Sequence, residues 1–132
     1  MELWDPLRKK NVAATPEERV RQWFISALMQ NASVPAHMMM SETGFNYGGK
    51  RYRTDILIFD RNAAPLAVVE CKRPDVKIDG EVARQALRYN MVLSVKWIFL
   101  TNGTSTYVFR RNSDVFEPCG EFPSYETMLC NR

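Results

Sequence analysis

Apolar residues Val20, Trp23, Phe24, Ala27 and Leu28 recur at the three- and four-residue intervals of one helix face. Just before them, Thr15-Pro-Glu-Glu18 reads as a helix start: Thr15 can cap, Pro16 suits the first helical position, and Glu18 can complete a capping box. The pattern predicts a helix to about Asn31, ending before Pro35. Residues 37–48 read as a first strand and a Gly-rich turn, Lys50 to Asp60 as a long strand, and Arg61-Asn-Ala-Ala as a turn. Leu66 to Cys71 is short and nearly all apolar, as expected of a strand covered on both faces at a sheet centre. Asp79 to about Leu93 reads as a second helix. Lys96 to Leu100 and Thr104 to Arg110 read as two more strands, hinged at Asn102-Gly103. After Arg111 the pattern weakens, and Pro123-Ser-Tyr-Glu-Thr-Met-Leu129 predicts a short terminal helix. The order, helix, three strands, helix, two strands, predicts an α/β fold. Residues 1–132 make one domain, with a core over about 15–111.

Composition narrows the class. With 45% hydrophobic and 25% charged residues, the chain reads as a soluble globular protein. No apolar run approaches the roughly 20 residues that span a bilayer, and the N-terminus lacks a basic start followed by an apolar stretch, so a cytoplasmic location is expected. Cys71, Cys119 and Cys130 are odd in number and widely spaced, which reads as free thiols rather than a zinc site. A net charge of +3 is a weak global pull toward nucleic acid. Its distribution says more: basic residues cluster at Arg8-Lys9-Lys10, Lys50-Arg51-x-Arg53, Arg84 with Arg88, and Arg110-Arg111. Most such clusters are solvated charge, but Lys50 to Arg53 runs directly into Asp55.

Residues 50–72 carry the candidate chemistry. Strand side chains alternate faces, so Glu70 and Lys72 point one way and Cys71 the other. If the two strands pair as a hairpin, Asp55 approaches Glu70. Two carboxylates and a lysine then form a hard, oxygen-rich pocket suited to a magnesium or manganese ion facing a phosphate. Read alone, Asp55 is either such a ligand or a strand-end acid, solvated or paired with Arg53. Glu70 is either a ligand or a plain neighbour of Lys72, although a charge ending an apolar strand is costly unless something pairs with it.

The spacing of Asp55, fourteen residues, then Glu70-x-Lys72 resembles the PD-(D/E)XK nuclease superfamily. Pro65-Leu-Ala-Val-Val-Glu-Cys-Lys-Arg-Pro-Asp75 looks like the nuclease core of the N-terminal domain of the R subunit of type I restriction enzymes. Arg53-x-Asp55, Gln85-Ala-Leu-Arg-Tyr89-Asn90 and Leu100-Thr-Asn-Gly103 match as well. Trp4-Asp-Pro-Leu-Arg-Lys-Lys and Thr15-Pro-Glu-Glu-Arg-Val-Arg-Gln22 resemble the start of small stand-alone bacterial versions. The resemblance runs from about residue 4 to about residue 126. It implies a restriction-endonuclease-like core, with a central mixed sheet of about five strands flanked by helices.

The resemblance also implies magnesium-dependent hydrolysis of DNA. Asp55, Glu70 and the backbone carbonyl of Cys71 hold the ion. Lys72 orients or deprotonates the attacking water. Gln85 and Tyr89, four apart and so on one helix face, contact the DNA backbone and steady the lysine. Lys50, Arg51, Arg53, Arg84 and Arg88 surround the site as candidate phosphate contacts. A further glutamate is expected from the first helix. At about 100° per residue Glu17 lies near the Val20–Phe24 face and Glu18 nearly opposite, so Glu17 is the choice, with Glu42 a weaker candidate. Expected partners are DNA and either restriction–modification subunits or a second copy of the chain. The rival reading is a non-catalytic DNA-binding or assembly module that kept the fold.

Two apparent motifs fall away. Gly44-Phe-Asn-Tyr-Gly-Gly49-Lys50-Arg51 nearly spells a phosphate-binding loop, but Arg replaces the magnesium-binding hydroxyl and a strand follows where a helix should, so no ATP is expected. His37 is the only histidine, and a lone histidine makes neither a zinc nor a serine-type site.

Overall fold

The first element is a hairpin that the periodicity does not announce: β1 (Glu2–Asp5) paired antiparallel with β2 (Lys10–Ala13). The computed structural model describes residues 1–91 and 93–130. Helix α1 (Pro16–Asn31) follows, with Thr15 at its N-cap accepting from the Glu18 N–H. Strands β3 (Met39–Tyr47), β4 (Lys50–Phe59) and β5 (Pro65–Cys71) lead to α2 (Gly80–Asn90), capped by Asp79. Then come β6 (Trp97–Thr101), β7 (Thr106–Asn112), β8 (Val115–Cys119) and α3 (Tyr125–Cys130).

The six strands β3 to β8 lie side by side in sequence order. Every neighbouring pair is antiparallel except β5 and β6, which α2 joins as a parallel pair. The sheet is mixed, as expected, and has six strands rather than about five. The added strand, β8, is a short edge with only half-buried or exposed residues, so it carries no apolar alternation to read. The expected second helix stops at Asn90 instead of Leu93, and Val92 lies outside the described residues, as do positions 131 and 132. The rejected phosphate loop is the β3–β4 turn. Gly48 and Gly49 take φ of +58° and +78°, left-handed values that a two-residue hairpin turn requires and glycine tolerates.

Two apolar layers cover the sheet. On one face Val20, Phe24, Ile25 and Leu28 of α1 pack with Tyr125 and Met128 of α3 against Ile56, Val69 and Phe99. On the other, Ala83 and Leu87 of α2 pack against Leu57, Val68 and Ile98. Strand β5 is buried from Leu66 to Val69, which explains its unbroken apolar run. Each fully buried large apolar side chain contributes about 1.5–3 kcal/mol.

Helix α1 differs from its expected face. Its buried arc runs through Val20, Arg21, Phe24, Ile25 and Leu28, whereas Trp23 is 48% exposed. The arc is rotated toward Arg21 because a buried charge network, not only apolar contact, holds the helix start. Glu18, expected on the solvent side as a capping partner, is buried in that network.

Candidate active site

Strands β4 and β5 bring the two central acids together. Ile56 pairs with Val69, and one step further along the two strands lie Asp55 and Glu70. Glu70 and Lys72 share a face, and Lys72 Nζ lies 2.8 Å from Glu70 Oε2. Cys71 points to the opposite, buried face. Its backbone N–H donates to Asp55 Oδ2 at 2.7 Å, so the acid is fixed by the strand that carries its neighbours. These side chains line a cleft of about 320 Å³ with Glu17, Glu42, Arg53, Thr54 and Asn90.

Behind the cleft lies an ion-pair network. Arg21, only 4% exposed, donates from Nη2 to Asp55 Oδ1 at 2.9 Å and from Nη1 to Glu18 Oε1 at 2.6 Å. Arg8 reaches Glu18 and Glu42 at 2.9 Å each and also pairs with Asp5. Asp5 is fully buried and accepts from the Leu7 and Arg8 N–H groups and from Ser41 Oγ, which ties the N-terminal hairpin to β3. Arg53 pairs with Glu42 at 2.8 Å. The linked groups are five carboxylates (Asp5, Glu17, Glu18, Glu42, Asp55) against three arginines (Arg8, Arg21, Arg53), leaving two negative charges.

Backbone strain sits at the same place. Glu42 falls between the paired positions Ser41–Ile56 and Thr43–Thr54, opposite Asp55, and takes φ of +48°. A left-handed non-glycine residue costs on the order of 1–3 kcal/mol and persists only where its surroundings hold it. Here three arginines face its carboxylate. Burial opposes ionisation of Glu42, yet Arg21, Arg53 and Arg8 together hold its pKa below the usual glutamate value. Glu70 raises the pKa of Lys72, chiefly through their hydrogen bond, so the amine is an ammonium at neutral pH. Burial, then Asp55, pushes the Cys71 thiol well up, which makes it inert packing.

The expected site residues separate into two clefts. Asp55, Glu70, Cys71, Lys72, Arg53 and Glu17 line the acidic one. Gln85, Tyr89, Arg88 and Lys50 line its neighbour, with Tyr52. The Arg53 N–H donates to Tyr89 Oη at 3.0 Å, and Tyr89 packs edge-on to Tyr52. Arg84 lines neither cleft and pairs with Glu81. Arg51 folds its guanidinium over Gly44. Glu17, 47% exposed, stands at the cleft with its carboxylate 3.7 Å from Arg21.

The sequence reading missed Arg21, Arg8 and Asn90. Arg21 carried a signal: an arginine inside the apolar arc, three and four residues after two glutamates. Arg8 read as part of a basic surface cluster, but its charge is spent inward. Asn90 follows Tyr89 in the motif, is 3% exposed, and donates to the Ala86 carbonyl while lining the acidic cleft. Arg111, also read as surface charge, donates to the Val95 and Leu93 carbonyls and stacks over Phe116.

The acidic cleft suits a hard cation in its donor chemistry. Carboxylate oxygens select magnesium, manganese or calcium over softer ions. Among the described residues no group of three or more His, Cys, Asp or Glu side chains is placed to hold a metal ion by itself. Magnesium does not need one, since it binds through one or two carboxylates and keeps several waters.

Comparison with known proteins bears on the family and the fold. The family model described as type I restriction enzyme R protein N terminus matches residues 16–123. No curated protein matches the chain. A fragment assigned as the HsdR subunit of a type I restriction enzyme from Vibrio vulnificus YJ016 superposes with a TM-score of 0.66 at 20% identity. The match covers 89% of this chain and 25% of that one, so this chain spans about a quarter of that fragment's length. A DUF820 protein from Anabaena variabilis ATCC 29413, assigned as a nuclease, superposes with a TM-score of 0.53 at 14% identity, covering 97% of this chain and 89% of that one. At these identities the structures establish a shared nuclease-like fold.

Proposed function

This chain belongs to the family of type I restriction enzyme R protein N termini, and from that membership and the acidic cleft we propose that it is a metal-dependent DNA nuclease domain of the PD-(D/E)XK type. The observation that carries the reading is the convergence of Asp55 and Glu70 beside the Lys72 ammonium. A divalent ion, magnesium or manganese, supplies Lewis acidity and an activated water when bound. Asp55, Glu70 and the Cys71 carbonyl would hold it, with Glu17 lining the same cleft.

Lys72 places a positive charge beside the reacting phosphate. Its ammonium, held by Glu70 at 2.8 Å, suits an orienting and charge-offsetting role. Because Glu70 fixes the ammonium in advance, little reorganisation is needed as charge builds on the phosphate. Lys50 and Arg88 of the neighbouring cleft, with Arg53 between the two, guide the DNA backbone toward the acids. The domain acts in the cytoplasm, with DNA as substrate and restriction–modification subunits or a second copy of the chain as partners.

One observation favours the rival reading, a non-catalytic DNA-binding or assembly module. Both Asp55 oxygens already accept hydrogen bonds, from Arg21 and Cys71. The discriminating experiment titrates magnesium or manganese against plasmid and single-stranded DNA, with Asp55→Ala as control. Cleavage that needs the ion and disappears in Asp55→Ala supports the nuclease. DNA binding with no cleavage at any ion concentration supports the rival.

A further inference from the structure

We propose that Arg21 is the resident counter-ion of Asp55, a positioning residue that occupies the acid until a divalent ion takes its place. The inference rests on the metal-binding reading of the cleft. Arg21 Nη2 holds Asp55 Oδ1 at 2.9 Å, while the other oxygen is held by a strand N–H that cannot move independently of the sheet. Of the two partners only the arginine is a side chain, which can change conformation without moving the sheet.

It also has somewhere to go. Glu17 Oε1 lies 3.7 Å from Arg21 Nη2 and Glu42 Oε2 lies 3.8 Å from Nη1, both just beyond hydrogen-bond length. Arg21 Nε is buried and has no hydrogen-bond partner among the described residues. A buried N–H left unmade is costly, so the present arrangement does not satisfy the guanidinium fully, while its Nη1 and Nη2 have Glu42 and Glu17 as further acceptors a small rotation away. Arg21 thus has two sets of acceptors within reach. The guanidinium keeps the acidic wall neutral enough to fold, and it competes for the oxygen a cation needs. Removing its charge therefore tightens cation binding while weakening the cation-free fold.

Calorimetric titration of Mn²⁺ into wild type, Arg21→Met, Arg21→Lys and Asp55→Asn tests this. Arg21→Met is expected to bind Mn²⁺ about tenfold or more tightly than wild type, from the loss of one nearby positive charge. It is also expected to melt lower without Mn²⁺ and to gain more on its addition. Arg21→Lys, which keeps the charge, stays near the wild-type affinity. In wild type, the NMR signal of Arg21 Nε–Hε is expected to shift on saturation with Mg²⁺, a readout that needs no variant to fold. Wild-type binding with an unchanged or weaker affinity in folded Arg21→Met, or an unmoved Arg21 signal, overturns the inference alone. Mn²⁺ binding by Asp55→Asn equal to wild type overturns the metal reading itself.

Discussion

The backbone N–H of Arg53 donates to the phenol oxygen of Tyr89 at 3.0 Å, two residues before Asp55 in the same strand. Tyr89 therefore braces the strand that delivers the acid, and it does so from the face of the sheet that α2 covers. An N–H on a strand would otherwise need a ladder partner or water. The bond joins the acidic cleft to the Lys50–Arg88 cleft through one residue, Arg53.

Tyr89→Phe removes that bond and keeps the ring against Tyr52. A loss of about 0.5–1.5 kcal/mol is expected in urea unfolding, with the m-value unchanged. Tyr89→Ala is expected to cost more, because the aromatic pair is lost as well.

The N-terminal hairpin has its own anchor in Asp5. This carboxylate is fully buried and accepts from Arg8, Ser41 and two backbone N–H groups. Asp5→Ala leaves those donors unsatisfied and is expected to cost about 2–5 kcal/mol by chemical denaturation. Ser41→Ala removes one bond and is expected to cost about 1 kcal/mol.

Acid should undo the same network. Burial raises the Asp5 pKa, but the bonds from Arg8, the two backbone N–H groups and Ser41 outweigh it and leave the folded value below 3.8. Glu42 likewise lies below 4.5. A carboxylate with a depressed folded pKa binds protons less readily folded than unfolded, so its stabilisation is complete above the unfolded value. Stability contributed by these two acids is therefore constant above about pH 5 and falls as pH drops through 4.5 and 3.8. Melting temperature measured from pH 6 to pH 3 checks it, and Glu42→Gln is expected to flatten the upper part of that fall.

Phosphate contacts release counterions, at roughly 0.9 per contact in duplex DNA. Lys50 and Arg88 line one cleft, whereas Arg84 is held by Glu81 outside both. Replacing Lys50 and Arg88 together with Ala is expected to weaken binding to all duplexes alike and to lower the salt slope by up to about two. Arg84→Ala is expected to lower it by less. Fluorescence anisotropy across salt concentrations, with two unrelated duplexes, separates these outcomes.

The central strands and helices were legible because burial on two faces writes long apolar runs, as at Leu66–Val69, and because Thr15 and Asp79 cap their helices locally. Alternation put Glu70 and Lys72 on one face, whereas Asp55 beside Glu70 was legible only on the condition that the two strands pair as a hairpin, which they do. The charge network was not legible, because it depends on which way Arg8 and Arg21 turn. Arg8 is polar in a polar stretch, and only the packing of the hairpin on β3 aims it at Glu42. Strands β1, β2 and β8 escaped notice for a related reason: they are four or five residues long and bury little, so their hydrogen-bond ladders leave no hydrophobic trace.

The most direct test of the nuclease assignment is the rate of Mg²⁺-dependent plasmid cleavage by Lys72→Ala against wild type, with thermal melts of both. Lys72 is a third exposed and, among the described residues, forms an ion pair with Glu70 alone, so the fold is expected to tolerate its loss. A nuclease of this kind is expected to cleave as wild type, to lose cleavage in Lys72→Ala with melting temperatures within a few degrees of each other, and to show no rescue by Lys72→Arg, because a planar fork does not fit the place of a point charge. Cleavage by Lys72→Ala at the wild-type rate contradicts that assignment.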